Sequence, residues 1–197
     1  MKKKFGVIIL AAGSSARLGR PKQTLTFKKQ TFLHRIVSTA ASLNSGPVII
    51  VLGSNAPLFS GDYENAIAVI NDDWQEGMAS SICCGLEKLL EDYPSIEGAI
   101  ITVCDQPHVT VSLLQKMLDT HQSSLLPIVA CSYGSTIGTP ALFHHSMFSE
   151  LLQLKGDKGA KQMVNKDKER VGLVDFPLGT VDVDTEEDYA RLLRNEN

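Results

Sequence analysis

Short apolar runs alternate along the chain with stretches in which apolar residues recur every three or four positions. The runs Phe5–Ala11, Pro47–Leu52, Ala66–Ile70 and Ala99–Val103 are nearly unbroken and rich in Val and Ile, the pattern of strands buried on both faces. Between them, Thr31–Leu43 places Phe32, Leu33, Ile36, Val37 and Ala40 on one helical face. Ala79–Leu90 turns Ile82, Leu86, Leu89 and Leu90 inward, Val111–His121 reads as a further helix, and Asn55–Phe59 as a short one. This alternation predicts a Rossmann-like three-layer α/β/α fold with a mostly parallel sheet. The second half is less regular. Pro127–Cys131 and Val171–Phe176 read as strands, Gly134–Phe143 as a turn-rich return, and Ser146–Leu152 and Lys158–Asn165 as short helices. Asp184–Arg194 reads as a closing helix, capped by Asp184 or Thr185, with Glu186, Glu187 and Asp188 in its first turn. No repeat, low-complexity segment or linker interrupts the pattern, so residues 1–197 are expected to form a single domain.

Composition narrows the class. With 43% hydrophobic and 21% charged residues, the chain is an ordinary globular sequence able to bury a sizeable core. A net charge of −3 argues against nucleic acid or a membrane surface as partner. The four cysteines, Cys83, Cys84, Cys104 and Cys131, form no C-x-x-C pair. They read as reduced thiols of a cytoplasmic protein. Lys2-Lys3-Lys4 before FGVIILAAG imitates a secretion leader, but cleavage near Gly13 or Ala16 would remove the strand that the sheet needs at its centre. No apolar run approaches the length of a membrane span.

The chemistry concentrates where the first strand ends. Side chains shrink at Ala11, Ala12, Gly13, Ser14, Ser15 and Ala16, and Arg17, Arg20 and Lys22 follow. Small residues let a ligand approach the backbone, whose N–H groups can cradle an anion. Pro21 is expected to hold Lys22 on a stiff, non-helical segment. Strand, small-residue loop and convergent cations together suit a polyphosphate. The spacing is not that of a Walker loop, because five residues separate Gly13 from Gly19 and Arg20-Pro21 displace the lysine. A dinucleotide fingerprint would need a third glycine. The stretch instead resembles the nucleotidyltransferase signature L-A-[AG]-G-x-[SG]-x-R-[ML]-G-x-x-K, matching at Leu10, Ala11, Ala12, Gly13, Ser15, Arg17, Leu18, Gly19 and Lys22.

Further candidates follow along the chain. Asp105 stands at the carboxyl end of a buried strand, where ligands bind in open α/β sheets. It could hold Mg²⁺ or simply serve a turn. In Asp182-Val183-Asp184, alternation puts both carboxylates on one face, one for the metal and the other for capping, with Asp184 favoured for the metal. The segment Asn71 to Ser81 follows a strand and opens a helix, so Gly77, Ser80 and Ser81 can meet a base, ribose or phosphate. Gly138-Thr139-Pro140 could line an acceptor pocket or merely turn the chain, and Gly156 to Lys161 could close over an anionic acceptor or cap a helix. His34, His108, His121, His144 and His145 show no metal spacing.

The loop at 10–22, NDDWQEGMASSI, CDQPHVT, GTPALF, GDKGAK and DVDTEEDY occur in that order. Together they closely resemble the MobA-like nucleotidyltransferases, in particular the molybdenum cofactor cytidylyltransferase branch. The resemblance implies a nucleotidyltransferase fold with a nucleotide-binding part at about 1–110 and an acceptor-binding part at about 111–197. It implies transfer of CMP from CTP to molybdopterin cofactor, with Mg²⁺ on Asp105 and Asp184. Lys22 would steady the transferring phosphate, and Arg17 and the loop residues Leu10 to Ser15 would hold the nucleotide. Leu10-Ala11-Ala12-Gly13 looks like the cytidylyl rather than the guanylyl form, which favours CTP over GTP. A molybdenum hydroxylase apoenzyme is the implied recipient. Two other readings remain: the same fold acting on a sugar or alditol phosphate, and a non-catalytic accessory factor for a xanthine dehydrogenase-type enzyme.

Overall fold

A computed structural model describes residues 4–59, 63, 65–157, 159–166 and 168–194. Lys2, Lys3 and Lys158 lie outside the described residues. In chain order the strands are β1 Phe5–Ala11, β2 Thr26–Phe27, β3 Gln30–Thr31, β4 Val48–Leu52, β5 Ile67–Ile70, β6 Gly98–Val103, β7 Ile128–Tyr133, β8 Thr136–His144 and β9 Val171–Asp175. The helices are α1 Phe32–Leu43, α2 Met78–Asp92, α3 Val111–Ser124, α4 Phe148–Leu151, α5 Lys161–Lys166 and α6 Glu186–Arg194.

One seven-stranded sheet runs in the order β5-β4-β1-β6-β8-β7-β9. Strands β5, β4, β1 and β6 are mutually parallel, β8 is antiparallel to both its neighbours, and β9 runs parallel to β7. The α/β fold with a mostly parallel sheet is therefore as the apolar pattern predicts. Val7, Ile8 and Ile9 of β1 are fully buried because helices cover both faces of the sheet. On one face α1 and α3 pack Ile36, Val37, Leu114 and Met117 against Val7, Ile9 and Ile50. On the other, α2 and α4 pack Ile82, Leu86 and Leu151 against Ile8, Ile49 and Ile101. From β1 the chain steps outward to β4 and β5, then crosses back to β6 on the other side of β1. That reversal leaves a crevice at the carboxyl ends of β1 and β6.

Several local expectations are corrected. The return at 134–143 is the nine-residue strand β8, paired with β6 from Ala141 to His144 and with β7 across a register shift at Ala130/Cys131. Lys22 opens a 3-10 turn, Lys22–Thr24, rather than lying on a non-helical segment, since Pro21 supplies the φ that such a turn accepts before its first residue. The expected helix at 146–152 is a 3-10 turn, His145–Met147, running into α4. A hairpin of β2 and β3, which no periodicity announces, turns through Lys28 and Lys29, both at positive φ. A small third core of Leu18, Leu25, Phe27, Phe32, Val183 and Leu192 clamps this hairpin against α6.

Candidate functional site

At the crevice the loop after β1 folds back on Ser15. The Leu18 and Gly19 amides donate to the Ser15 carbonyl at 3.0 and 3.1 Å, and the Lys22 amide donates to Ser15 Oγ at 3.1 Å. Gly19 takes the left-handed φ of +75° that such a tight return demands. Lys22 is thereby fixed at its backbone and directed inward. Its ammonium donates to Asp105 Oδ2 at 2.9 Å and to Asp184 Oδ1, and Arg17 donates to Asp184 Oδ2 at 2.6 Å. Lys22, Asp105, Asp184 and Arg17 are thus brought together, from β1's loop, the end of β6 and the turn before α6.

Electrostatics follow the geometry. Burial alone would lower the Lys22 ammonium, but the charges of Asp105 and Asp184 and the hydrogen bonds to them raise it overall. Partial burial would raise the Asp184 carboxyl, and the Lys22 hydrogen bond and charge, with Arg17, bring it below the usual range instead. Asp182 is the converse case, held up by partial desolvation and by the charges of Asp105 and Asp184. Asp184, not Asp182, makes the ion pair with Lys22. Neither caps α6. Thr185 Oγ1 accepts from the Asp188 amide at 3.2 Å and Asp188 Oδ2 accepts from the Thr185 amide at 3.0 Å, a reciprocal capping box. Arg20 is drawn away from the other cations by a two-pronged contact with Glu186 at 2.7 and 3.0 Å.

A cavity of about 490 Å³ opens over these groups. Leu10, Ala11, Ala12, Gly13, Ser14, Ser15, Gly77 and Ser81 line it with Arg17, Lys22, Asp105 and Asp184. Ser80 instead faces a neighbouring groove beside Asp72, Asp73 and Glu76, and its hydroxyl donates to the Asp73 and Gly77 carbonyls. A second cavity, of about 670 Å³, adjoins the first and shares Met78 and Asp157 with it. Gly138 and Thr139 line that second cavity with Ile82, Ile101, Ile137 and Tyr133, whereas Pro140 is buried and not among its walls. Both cavities draw on residues before and after 110.

Gln23, Trp74, Met78 and Asp157 are further walls of the first cavity that were not among the predicted site residues. Gln23 is 2% exposed and donates through Nε2 to the Ala11 carbonyl at 2.6 Å, tying the loop to the 3-10 turn. A polar residue directly after Lys22 was the available signal. Trp74 and Met78 flank Gly77 within the segment already singled out. Asp157 arrives from the loop before α5, within the segment Gly156 to Lys161 already singled out for its charge.

The fit of a divalent cation can be judged from the donors. Asp105 and Asp184 converge on one point, held by the Lys22 ammonium. Among the described residues no group of three or more His, Cys, Asp or Glu converges as a metal centre. Two carboxylates suit Mg²⁺, which keeps waters and takes further oxygens from substrate phosphates.

Fold and site together define an α/β protein of the nucleotidyltransferase class. Residues 7–171 match the MobA-like NTP transferase domain, and the chain belongs to that family. It is similar to nicotine blue oxidoreductase of Paenarthrobacter nicotinovorans, 28% identical over 94% of this chain and 95% of that one. It is similar to purine catabolism protein PucB of Bacillus subtilis, 25% identical over 95% of each. Bifunctional protein GlmU of Bifidobacterium animalis is 29% identical over 59% of this chain, and the match spans only 26% of GlmU. Among solved structures, Rv0371c of Mycobacterium tuberculosis superposes with a TM-score of 0.85 at 30% identity over 98% of this chain and 99% of that one. A structure of Rv0371c in complex with manganese superposes at 0.80, with 27% identity over 97% of this chain and 98% of that one. Among the described residues, no helix is long and apolar enough to cross a membrane.

Proposed function

We propose that this protein is a molybdenum cofactor cytidylyltransferase, transferring CMP from CTP to molybdopterin cofactor and releasing pyrophosphate, in the cytoplasm, for delivery to a molybdenum hydroxylase apoenzyme. The observation that carries the reading is the pair of adjoining cavities. One is lined by a small-residue loop with Lys22, Asp105 and Asp184, the other by apolar walls, and Met78 and Asp157 stand between. The first suits a nucleoside triphosphate and the second a flat, fused-ring acceptor whose phosphate reaches across. In this reading an oxygen of the acceptor phosphate attacks the α-phosphorus of CTP. The bond from that phosphorus to the bridging oxygen breaks, and pyrophosphate leaves with the electron pair.

Little of this needs a protein base, so positioning and charge neutralisation carry the catalysis. Lys22 would hold charge at the transferring phosphate, and Arg17 and the amides of 13–16 would hold the outer phosphates. Ser81 and Gly77 would meet the nucleoside, and Gly138 and Thr139 the acceptor. Asp105 and Asp184 would hold Mg²⁺, which supplies neutralisation of phosphate charge when bound. The choice of CTP rests on the resemblance of Leu10-Ala11-Ala12-Gly13 to the cytidylyl branch.

Pyrophosphate release with CTP, GTP, ATP and UTP, each with and without molybdopterin cofactor and Mg²⁺, tests the reading. Release with CTP that requires both cofactor and Mg²⁺, and is lost in Asp105→Ala, is expected. Release driven by a sugar or alditol phosphate instead moves the acceptor, and release with no nucleotide from folded protein and intact cofactor overturns the assignment. NAD(P)H oxidation is followed in parallel, because a relative of similar length carries an oxidoreductase name, although this chain lacks the three-glycine fingerprint.

A further inference from the structure

Lys22 lies between the two carboxylates that would hold Mg²⁺ in the proposed reaction. Its ammonium bridges Asp105 Oδ2 and Asp184 Oδ1, and Arg17 takes Asp184 Oδ2, so three of the four carboxylate oxygens already face a cation. Lys22 and Arg17 thus offset the charges of Asp105 and Asp184, and so weaken the pull of these two carboxylates on a doubly charged ion. The Lys22 side chain is 14% exposed, less than either carboxylate, so water screens the contact poorly. The Lys22 backbone is pinned by Ser15 Oγ and Pro21, so the ammonium can leave only by rotation of its four-carbon stem.

Resting on the nucleotidyltransferase reading, we propose that Lys22 is a resident counter-ion that keeps the metal site closed until nucleotide arrives. A triphosphate in the first cavity offers Lys22 and Arg17 new anionic partners. Once the ammonium rotates onto phosphate, Asp105 and Asp184 are uncovered beside phosphate oxygens that complete a metal's shell. Metal and nucleotide therefore enter together, and metal alone does not enter. The same movement delivers Lys22 to the phosphate it is to neutralise, so one side chain serves the empty and the loaded site in turn.

The test measures Mn²⁺ binding by water-proton relaxation enhancement, which reports protein-bound metal. Without nucleotide, Lys22→Gln is expected to bind Mn²⁺ at least tenfold more tightly than the unmodified protein, and Lys22→Arg to remain as closed as the unmodified protein. With a non-hydrolysable CTP analogue, the unmodified protein is expected to gain at least tenfold in Mn²⁺ affinity. Circular dichroism checks that each variant is folded, and the nucleotide dependence of the unmodified protein tests the proposal without any variant. Equal nucleotide-free affinities for folded Lys22→Gln and the unmodified protein overturn it. So does tight nucleotide-free binding by the unmodified protein. Ternary Mn²⁺ binding that survives Asp105→Asn and Asp184→Asn also overturns it, while leaving nucleotidyl transfer intact. Failure to bind the analogue at all, with no pyrophosphate release from any nucleotide, overturns the underlying reading instead.

Discussion

Two glycines line the first cavity, and substituting each by alanine should separate folding from ligand binding. Gly77 ends a 3-10 turn and begins α2 at φ 105°, ψ −175°, a region that is essentially glycine-only and costs another residue about 1–3 kcal/mol. A Cβ there would stand 2.4 Å from Asp157 Oδ1 and 2.7 and 2.8 Å from the Gly156 carbonyl atoms, so backbone as well as side chain must shift. Overpacking of that kind adds about 1–3 kcal/mol. Taking about 3 kcal/mol in all, and about 2–4 °C per kcal/mol for a domain of this size, Gly77→Ala should lower Tm by about 6–12 °C without unfolding the protein. At Gly13 a Cβ meets nothing within 4 Å. Gly13→Ala should therefore stay within about 0.5 kcal/mol of the unmodified protein, yet lose at least tenfold in CTP affinity, because only a ligand can feel the added methyl. Thermal melts by circular dichroism and calorimetric titration with CTP are sufficient. A Gly77→Ala melt within 2 °C of the unmodified protein, on the order of the surface-substitution range, would refute the strain and contact argument. Normal CTP binding by Gly13→Ala would refute a phosphate lying against that loop.

Lys28 and Lys29 form the turn between β2 and β3 at φ 50° and 67°, where side chains are disfavoured and Asn-Gly is the preferred pair; replacing them with Asn-Gly should stabilise the protein by about 1 kcal/mol in urea unfolding. The lowered Asp184 carboxyl implies stability that is present above its unfolded pKa of about 3.9 and is lost as pH falls through its folded value. A Tm-versus-pH series should therefore show a steeper acid loss for the unmodified protein than for Asp184→Asn. The raised Lys22 ammonium acts in the opposite sense, its contribution fading as pH rises beyond about 10.4. Burial pushes the Cys104 and Cys131 thiols up to about 12, so a chromogenic disulfide reagent at pH 8 should modify the half-buried Cys83 and Cys84 first and the other pair only on unfolding.

What could be read from the chain in advance depended on whether a local period announced it. Strands β1, β4, β5 and β6 and helices α1 to α3 were legible because unbroken Val and Ile runs and three-to-four spacings reflect burial on one face or two. Strand β8 was not, because Gly138 and Pro140 break its alternation with the residues that normally mark turns. That Gly13, Lys22 and Asp105 gather at one cavity was legible for a different reason, since small residues, a cation and a carboxylate at strand ends meet at the carboxyl edge of an α/β sheet. Asp157 stood out only as part of the charged segment Gly156 to Lys161, not as a neighbour of Gly77. Its position against Gly77 comes from a loop some 80 residues later in the chain, and nothing beside it in sequence records the contact.

The partnership of Lys22 with Asp184 is the sharpest case, spanning 162 residues. It is set by the third core, where Leu18, Leu25, Phe27 and Phe32 from the N-terminal loop and hairpin meet Val183 and Leu192 around the start of α6. Those apolar residues follow neither a strand nor a helix period across the segments they join, so they look incidental along the chain. Yet Val183 is fully buried, and its neighbour Asp184 is carried to Lys22 as a consequence. An apolar contact with no periodicity of its own thus decides which of two nearby carboxylates, Asp182 or Asp184, pairs with Lys22.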